Sequence, residues 1–245
     1  MPDTLPPPPS LAELGARSPL ALFLDFDGTL VELADTPDGI SVPETLLADL
    51  CALASRHEGR VALVSGRAID NLEEHLGPCP LAVAGSHGIH RRRADGSLLG
   101  EVPEGLPPAA EAALEDFTAT QGSRLERKPH GAALHFRERP ELEEEGAAFA
   151  AALADEHGLE VKRGKRVIEL VRPGADKGGA VRAFMGTSVF AGSHPVFIGD
   201  DTTDEDGFAA VIALGGTAIL VGDRRPTSAP FALANPDTVH EWLGL

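Results

Sequence analysis

Short uninterrupted apolar runs punctuate this chain, and each stops abruptly at small or polar residues. Ala21-Leu22-Phe23-Leu24 ends at Asp25-Phe26-Asp27-Gly28-Thr29, Arg60-Val61-Ala62-Leu63-Val64 ends at Ser65-Gly66-Arg67, and Leu81-Ala82-Val83-Ala84 ends at Gly85-Ser86-His87-Gly88. Runs without polar alternation are the pattern of strands buried on both faces of a parallel sheet. Between them, Leu46, Leu47, Leu50, Leu53 and Ala54, then Ile69, Leu72 and Leu76, recur at intervals of three and four and predict helices. Strand and helix in alternation predict a doubly wound α/β domain, a Rossmann-like core with a parallel sheet. Its loops leave the carboxyl ends of the strands on one edge, where ligands bind.

The middle of the chain follows a different pattern. A helix is predicted from Pro108 to about Ala119, then two extended halves within Arg124 to Arg137 around the turn Pro129-His130-Gly131. A second helix over Pro140 to His157 and a second hairpin, Leu159 to Arg163 with Val167 to Arg172 around Gly164, complete an α-ββ-α-ββ order. The first pattern resumes at Asp176-Lys177-Gly178-Gly179-Ala180, with strands at Pro195 to Ile198 and Ala218 to Gly222. The expected organisation is therefore a core of residues 1–90 and 173–245, with residues 1–18 a flexible leader. Residues 91–172 form an inserted α/β cap, an open-faced sheet with two helices. Arg91-Arg92-Arg93 reads as plain surface, and no internal repeat stands out.

Composition narrows the function classes. The 245 residues are 42% apolar, enough for a large core, and 21 Lys and Arg against 38 Asp and Glu give a net charge of −17. Such a chain has no general grip on nucleic acid or anionic membrane. Its excess charge is unevenly spread: residues 91–172 carry −3 and the rest −14. The two cysteines, Cys51 and Cys79, imply no disulfide framework, and a reducing cytoplasm suits them. The longest apolar runs fall far short of the roughly 18 to 20 residues of a membrane span. The Pro-rich start lacks the features of a signal peptide.

Candidate chemistry lies where the apolar runs stop. Asp25 and Asp27, two apart at a strand end, point the same way, and Gly28 beside them lets backbone amides approach an anion. Asp and Gly are also ordinary turn residues. Asp200, Asp201, Asp204, Glu205 and Asp206 crowd another strand end, and like charges at close range need a cation to balance them. If the two strand ends are neighbours, Asp25 and Asp200 make an oxygen-only pocket suited to Mg²⁺. Ser65 and Lys177 could then bind phosphoryl oxygens, although either alone is more often a helix cap or a surface charge. An Asp carboxylate can itself accept a phosphoryl group.

Asp25-Phe26-Asp27-Gly28-Thr29-Leu30, Ser65-Gly66-Arg67, Lys177 and Gly199-Asp200-Asp201-Thr202-Thr203-Asp204-Glu205 resemble, in order, the four motifs of the haloacid dehalogenase superfamily. With Gly85 to Gly88, Glu126 to Pro129, His135 to Arg137 and Val167 to Pro173, the chain is similar to the trehalose-6-phosphate phosphatases. That resemblance implies a phosphoric monoester hydrolase acting through an aspartyl-phosphate in the last step of trehalose biosynthesis. Asp25 is then the nucleophile, Asp27 the general acid and base, and Ser65 and Lys177 the phosphate-holding groups. Asp25, Asp27 through its carbonyl, Asp200, Asp201 and Asp204 form the Mg²⁺ set, the last two acting mainly through waters or outer bonds, and Gly66, Arg67, His87, Glu126, Lys128, Arg137 and Glu169 meet the substrate. Glu126 and Lys128 equally suit the solvated face of a strand. The expected partner is a small-molecule sugar phosphate, with no nucleic acid or membrane, for a monomer; because sugar and phosphate contacts lie on different domains, a substrate bearing both groups is expected to favour a closed cap. Another phosphatase or phosphomutase of the superfamily, such as one for mannosyl- or glucosyl-3-phosphoglycerate, and a silent sugar-phosphate sensor are the alternatives.

Overall fold

The computed structural model describes residues 5–34, 39–101, 104–164, 166–174 and 176–245. It divides into two compact units, Met1–Glu101 with Asp176–Leu245, and Val102–Ala175.

The first unit opens with α1 (Leu11–Leu14), followed by β1 (Leu20–Leu24), α2 (Leu46–Arg56), β2 (Val61–Val64), α3 (Ile69–Leu76), β3 (Ala82–Gly85) and β4 (His90–Arg92). The chain then builds the second unit from α4 (Pro108–Gln121), β5 (Arg124–Lys128), β6 (Gly131–His135), α5 (Glu143–His157), β7 (Glu160–Gly164) and β8 (Val167–Val171). It returns to the first unit as α6 (Lys177–Met185), β9 (His194–Gly199), α7 (Glu205–Ala213), β10 (Thr217–Val221), β11 (Phe231–Leu233) and α8 (Pro236–Leu243).

Seven strands make one sheet in the order β11-β10-β9-β1-β2-β3-β4, parallel throughout except for β4 against β3. β1 is buried along its whole length, which is why its sequence shows no polar alternation. Leu22, Leu24, Val61 and Leu63 pack on one face with Leu50 and Leu53 of α2, Leu72 of α3 and Val239 of α8. Phe23, Val64 and Phe197 pack on the other with Val181 and Phe184 of α6 and Phe208 of α7. The ring of Phe23 lies 5.6 Å from that of Phe190, and Phe197 meets Phe208 edge-on at 5.7 Å. Removing a ring such as Phe23 would cost about 3–5 kcal/mol in transfer and cavity terms.

Chain order reverses between β1 and β9, since β2 and β3 continue on one side and β10 and β11 on the other. The loops after β1 and β9 therefore leave adjacent strand ends, which is the ligand-binding position of an open α/β sheet.

The second unit is a four-stranded antiparallel sheet, β5-β6-β8-β7, with α4 and α5 packed on one face. Leu134, Ile168 and Leu170 face Leu114 of α4 and Ala150 and Leu153 of α5. The register aligns Glu126, Ala133, Glu169 and Lys162 across the four strands, on the opposite face.

Three expectations change. The structure divides near 101 and 176 rather than at 91 and 172, because His90–Arg92 form an antiparallel strand on the core sheet. Arg91-Arg92-Arg93 is not plain surface: Arg92 reaches Glu73 at 2.6 Å and the Cys79 carbonyl at 3.1 Å, and Arg93 donates to the Leu98 carbonyl. Residues 5–18 are anchored rather than flexible. Ser10 and Glu13 form a capping box, Leu11 and Leu14 pack on the core, and Trp242 Nε1 donates to the Pro9 carbonyl at 3.0 Å. Residues 1–4 of the expected leader lie outside the described residues. Both cysteines are free, as composition suggested, with the thiol of Cys79 pushed up to about 11 by burial.

Candidate active site

The site begins at Asp25, the first residue after β1, whose amide donates to the Ile198 carbonyl of β9 at 3.0 Å. This bond ties the ends of the two strands together, and the Asp25 side chain is only 6% exposed. Its neighbours are Asp200, just beyond β9, and Asp204, in the turn before α7; one oxygen from each of the three lies within 4.8 Å of the others. Gly28 makes this approach feasible. It has φ +77°, and a Cβ there would stand 2.3 Å from Asp200 Oδ2.

Lys177 enters from the first turn of α6, where the Asp176 side chain caps the helix by accepting from the Gly179 amide. Its Nζ donates to Asp25 Oδ1 at 2.7 Å and to Asp204 Oδ1 at 2.6 Å, both from a buried position. Burial pushes the Asp25 carboxyl well above its usual range, and the charges of Asp204 and Asp200 add to this against the pull of Lys177. Burial works to lower the Lys177 ammonium, but Asp204 and Asp25 outweigh it and hold it above the ordinary lysine value. Asp200 is pushed up to about 7, first by burial and then by Asp204.

With all three carboxylates ionised, as a bound cation would hold them, one ammonium leaves two negative charges in an oxygen-only cluster in which Asp25 and Asp204 are buried and Asp200 is half-buried. A divalent cation fits that donor set and that charge.

Ser65 follows β2, fully buried, with its amide on the Ala84 carbonyl and its Oγ accepting from the Arg67 amide at 3.1 Å. Arg67 grips Asp27 through two bonds of 2.7 Å and holds Asn71 Oδ1 at 2.8 Å. His87 has φ +57°, its amide donates to the Ser65 carbonyl at 3.0 Å, and its ring fills the space where a Gly66 Cβ would stand. Thus Asp25, Asp27, Ser65, Gly66, Arg67, His87, Lys177, Asp200 and Asp204 all belong to loops at one sheet edge or to the start of α6.

Asp201 is expected to act mainly through waters or outer hydrogen bonds. It is exposed, and its carboxylate accepts from the Thr202 amide and hydroxyl, capping the turn that follows. Asp204 is more central than its sequence position suggested. Completely buried, it binds Lys177 through one oxygen and the amides of Asp200 and Asp201 through the other, at 3.0 and 2.9 Å. Two residues the sequence reading did not use also touch these loops: Thr29 donates to Asp25 at 3.4 Å, and Arg224 donates to the carbonyls of Asp200 and Asp201. Thr29 stands inside the motif that drew attention to Asp25; nothing in the sequence pattern marks Arg224.

In the second unit, Lys128 Nζ donates to Glu169 Oε1 at 2.6 Å, and Glu126 meets His135 Nε2 at 2.7 Å. The His135 contact is the main cause holding the Glu126 carboxyl below its ordinary range. Arg137 lies just beyond β6, exposed.

The trehalose-phosphatase family model matches residues 23–237. A trehalose-6-phosphate phosphatase of Escherichia coli strain K12 is 36% identical, over 94% of this chain and 87% of its own length. A solved structure described as a trehalose-6-phosphate phosphatase related protein is 25% identical with TM-score 0.71, covering 92% of this chain and 95% of that one. A haloacid dehalogenase-like hydrolase from Bacteroides thetaiotaomicron is 17% identical with TM-score 0.65, covering 92% and 98%, which bears on the fold. Among the described residues no helix is long and apolar enough to cross a membrane. With the four motif segments gathered at one edge of a haloacid dehalogenase-type α/β core, this chain belongs to the trehalose-phosphatase family.

Proposed function

We propose that the chain is a Mg²⁺-dependent phosphatase that hydrolyses trehalose 6-phosphate to trehalose and phosphate, the closing step of trehalose biosynthesis. The observation that carries this reading is the Asp25 carboxylate, buried at a strand end between Lys177 and two further carboxylates.

A carboxylate oxygen of Asp25 attacks phosphorus as the bond from phosphorus to the sugar oxygen breaks, and Asp27 gives its proton to that oxygen. Asp27 then takes a proton from water. The water oxygen attacks the aspartyl-phosphate, the bond from phosphorus to Asp25 breaks, and phosphate leaves. Ser65 and Lys177 hold the phosphoryl oxygens as charge builds on them. Asp25, the Asp27 carbonyl and Asp200 are the residues that would hold Mg²⁺, with Asp204 fixing the loop behind them. When bound, the ion supplies charge neutralisation at the phosphoryl oxygens. Gly66, Arg67 and His87 line the same edge as substrate contacts. Glu126, Lys128 and Glu169, with Arg137, serve as the groups that meet sugar hydroxyls.

Phosphate release from a panel of sugar phosphates, with and without Mg²⁺, tests the reading. Trehalose 6-phosphate is expected to lead and chelation to abolish turnover. Preference for glucose 6-phosphate or a glycosyl-3-phosphoglycerate would overturn the substrate, and full activity of Asp25→Asn would overturn the mechanism.

A further inference from the structure

Glu205 closes the acidic motif after β9, yet nothing in the proposed chemistry uses it. Its surroundings supply a reason. Glu205 is the first residue of α7 and accepts from Arg224 Nη2 and from the Ser228 amide and hydroxyl, at 2.8 and 2.6 Å. Arg224 comes from the loop after β10. The same guanidinium donates through Nε to the Asp200 carbonyl and through Nη2 to the Asp201 carbonyl, both at 3.2 Å, and through Nη1 to the Pro226 carbonyl at 2.7 Å.

The Asp200-Asp201 segment is thus held on both edges. Its two amides are fixed by Asp204 from inside, and its two carbonyls by Arg224 from outside. A planar fork of donors suits this task, since lysine could not reach several acceptors in one plane. The ion pair with Glu205 is half-buried, with side chains 23% and 28% exposed, and it aims the fork.

Resting on the Mg²⁺ site of the proposed function, we infer that Arg224, aimed by Glu205, is a positioning residue that fixes the Asp200 loop in its cation-binding geometry. Two effects of Arg224 on a bound cation have opposite signs. As a nearby positive charge it weakens binding, so a purely electrostatic role predicts that Arg224→Ala binds Mg²⁺ more tightly. As a clamp on the ligand-bearing loop it strengthens binding, and removal of an outer partner of this kind costs about 10–100-fold in metal affinity.

Calorimetric titration of Mg²⁺ into the metal-free chain distinguishes the two. Wild type is expected to bind. Arg224→Ala is expected to bind about 10–100-fold more weakly, Arg224→Lys to recover only part of the loss, and Glu205→Gln to weaken binding severalfold. The KM for sugar phosphate at saturating Mg²⁺ should stay near that of wild type. Equal or tighter binding by Arg224→Ala, or full recovery by Arg224→Lys, overturns the inference. Should Arg224→Ala not fold, as judged by its melting curve without metal, Glu205→Gln carries the test, and unchanged affinity there overturns it. Absence of Mg²⁺ binding to wild type would instead overturn the metal site on which the inference rests.

Discussion

Arg67 holds Asp27 through two parallel bonds, Nε to Oδ2 and Nη2 to Oδ1, each 2.7 Å long. The pair joins the loop after β1 to the loop after β2, and a fork on a carboxylate fixes orientation as well as distance. In the proposed mechanism this grip aims the carboxylate for the step in which Asp27 takes a proton from water, and the acid step requires one of the two oxygens to be released. Arg67→Ala is expected to lower kcat by about 100-fold, the effect of a misplacement near 1 Å, and Arg67→Lys to restore little of it because an ammonium cannot grip both oxygens. Steady-state kinetics of both variants check this; near wild-type kcat in Arg67→Ala would show that Asp27 needs no such guide.

Lys177 stabilises the folded core in addition to the phosphate-holding role proposed for it. Its ammonium is the buried cation bonded to both Asp25 and Asp204, and stripping one partner from such a set leaves uncompensated charge. Lys177→Met is expected to lower stability by about 3–5 kcal/mol at neutral pH without metal. The loss should shrink in acid, as the Asp25 carboxyl, raised by burial, takes up a proton, and urea denaturation at two pH values measures both effects.

Much of the core was legible in the sequence because its strands are buried on both faces. The run Ala21 to Leu24 and its abrupt end at Asp25 can hardly be read otherwise, and the same holds for Val61 to Val64 ending at Ser65. β4 was not legible, since an edge strand written His90-Arg91-Arg92 has no apolar face to show. β11 is three residues long, too short for a period. Docking of the N-terminal segment depends on Trp242, more than two hundred residues away in the chain, and no local pattern encodes it. The candidate site follows the same logic. Carboxylates at strand ends announce themselves by type and place, but Arg224 acts on backbone carbonyls 24 and 23 residues back, and an arginine in a loop carries no mark of that.

Lys128 and Glu169 belong to the insert, and their chemistry separates from that of the core. Lys128→Ala leaves Glu169 without its 2.6 Å ammonium partner and removes a charged hydrogen-bond donor from the polar face. A bond of that class contributes about 1.5–3 kcal/mol, so kcat/KM for trehalose 6-phosphate is expected to fall by about 10–100-fold. Hydrolysis of p-nitrophenyl phosphate, which has no sugar hydroxyls, should be little affected. Parallel loss on both substrates would show that Lys128 acts on the fold rather than on the sugar.

Asp200 sets a pH dependence of opposite sign to that of an ordinary paired carboxylate. Its carboxyl is pushed up to about 7 in the folded chain by burial and by Asp204, whereas an unfolded aspartate titrates at about 3.9. Between those values the folded state holds a proton that the unfolded state has released. The metal-free chain is therefore expected to lose stability as pH rises through about 4 to 7, by up to about 1.4 kcal/mol per unit from this group. A divalent cation must displace that proton, so the stabilisation it confers should grow over the same range. Melting temperatures recorded from pH 5 to 8 with chelator and with Mg²⁺ should diverge towards high pH. Parallel curves would show that Asp200 releases no proton when the cation binds.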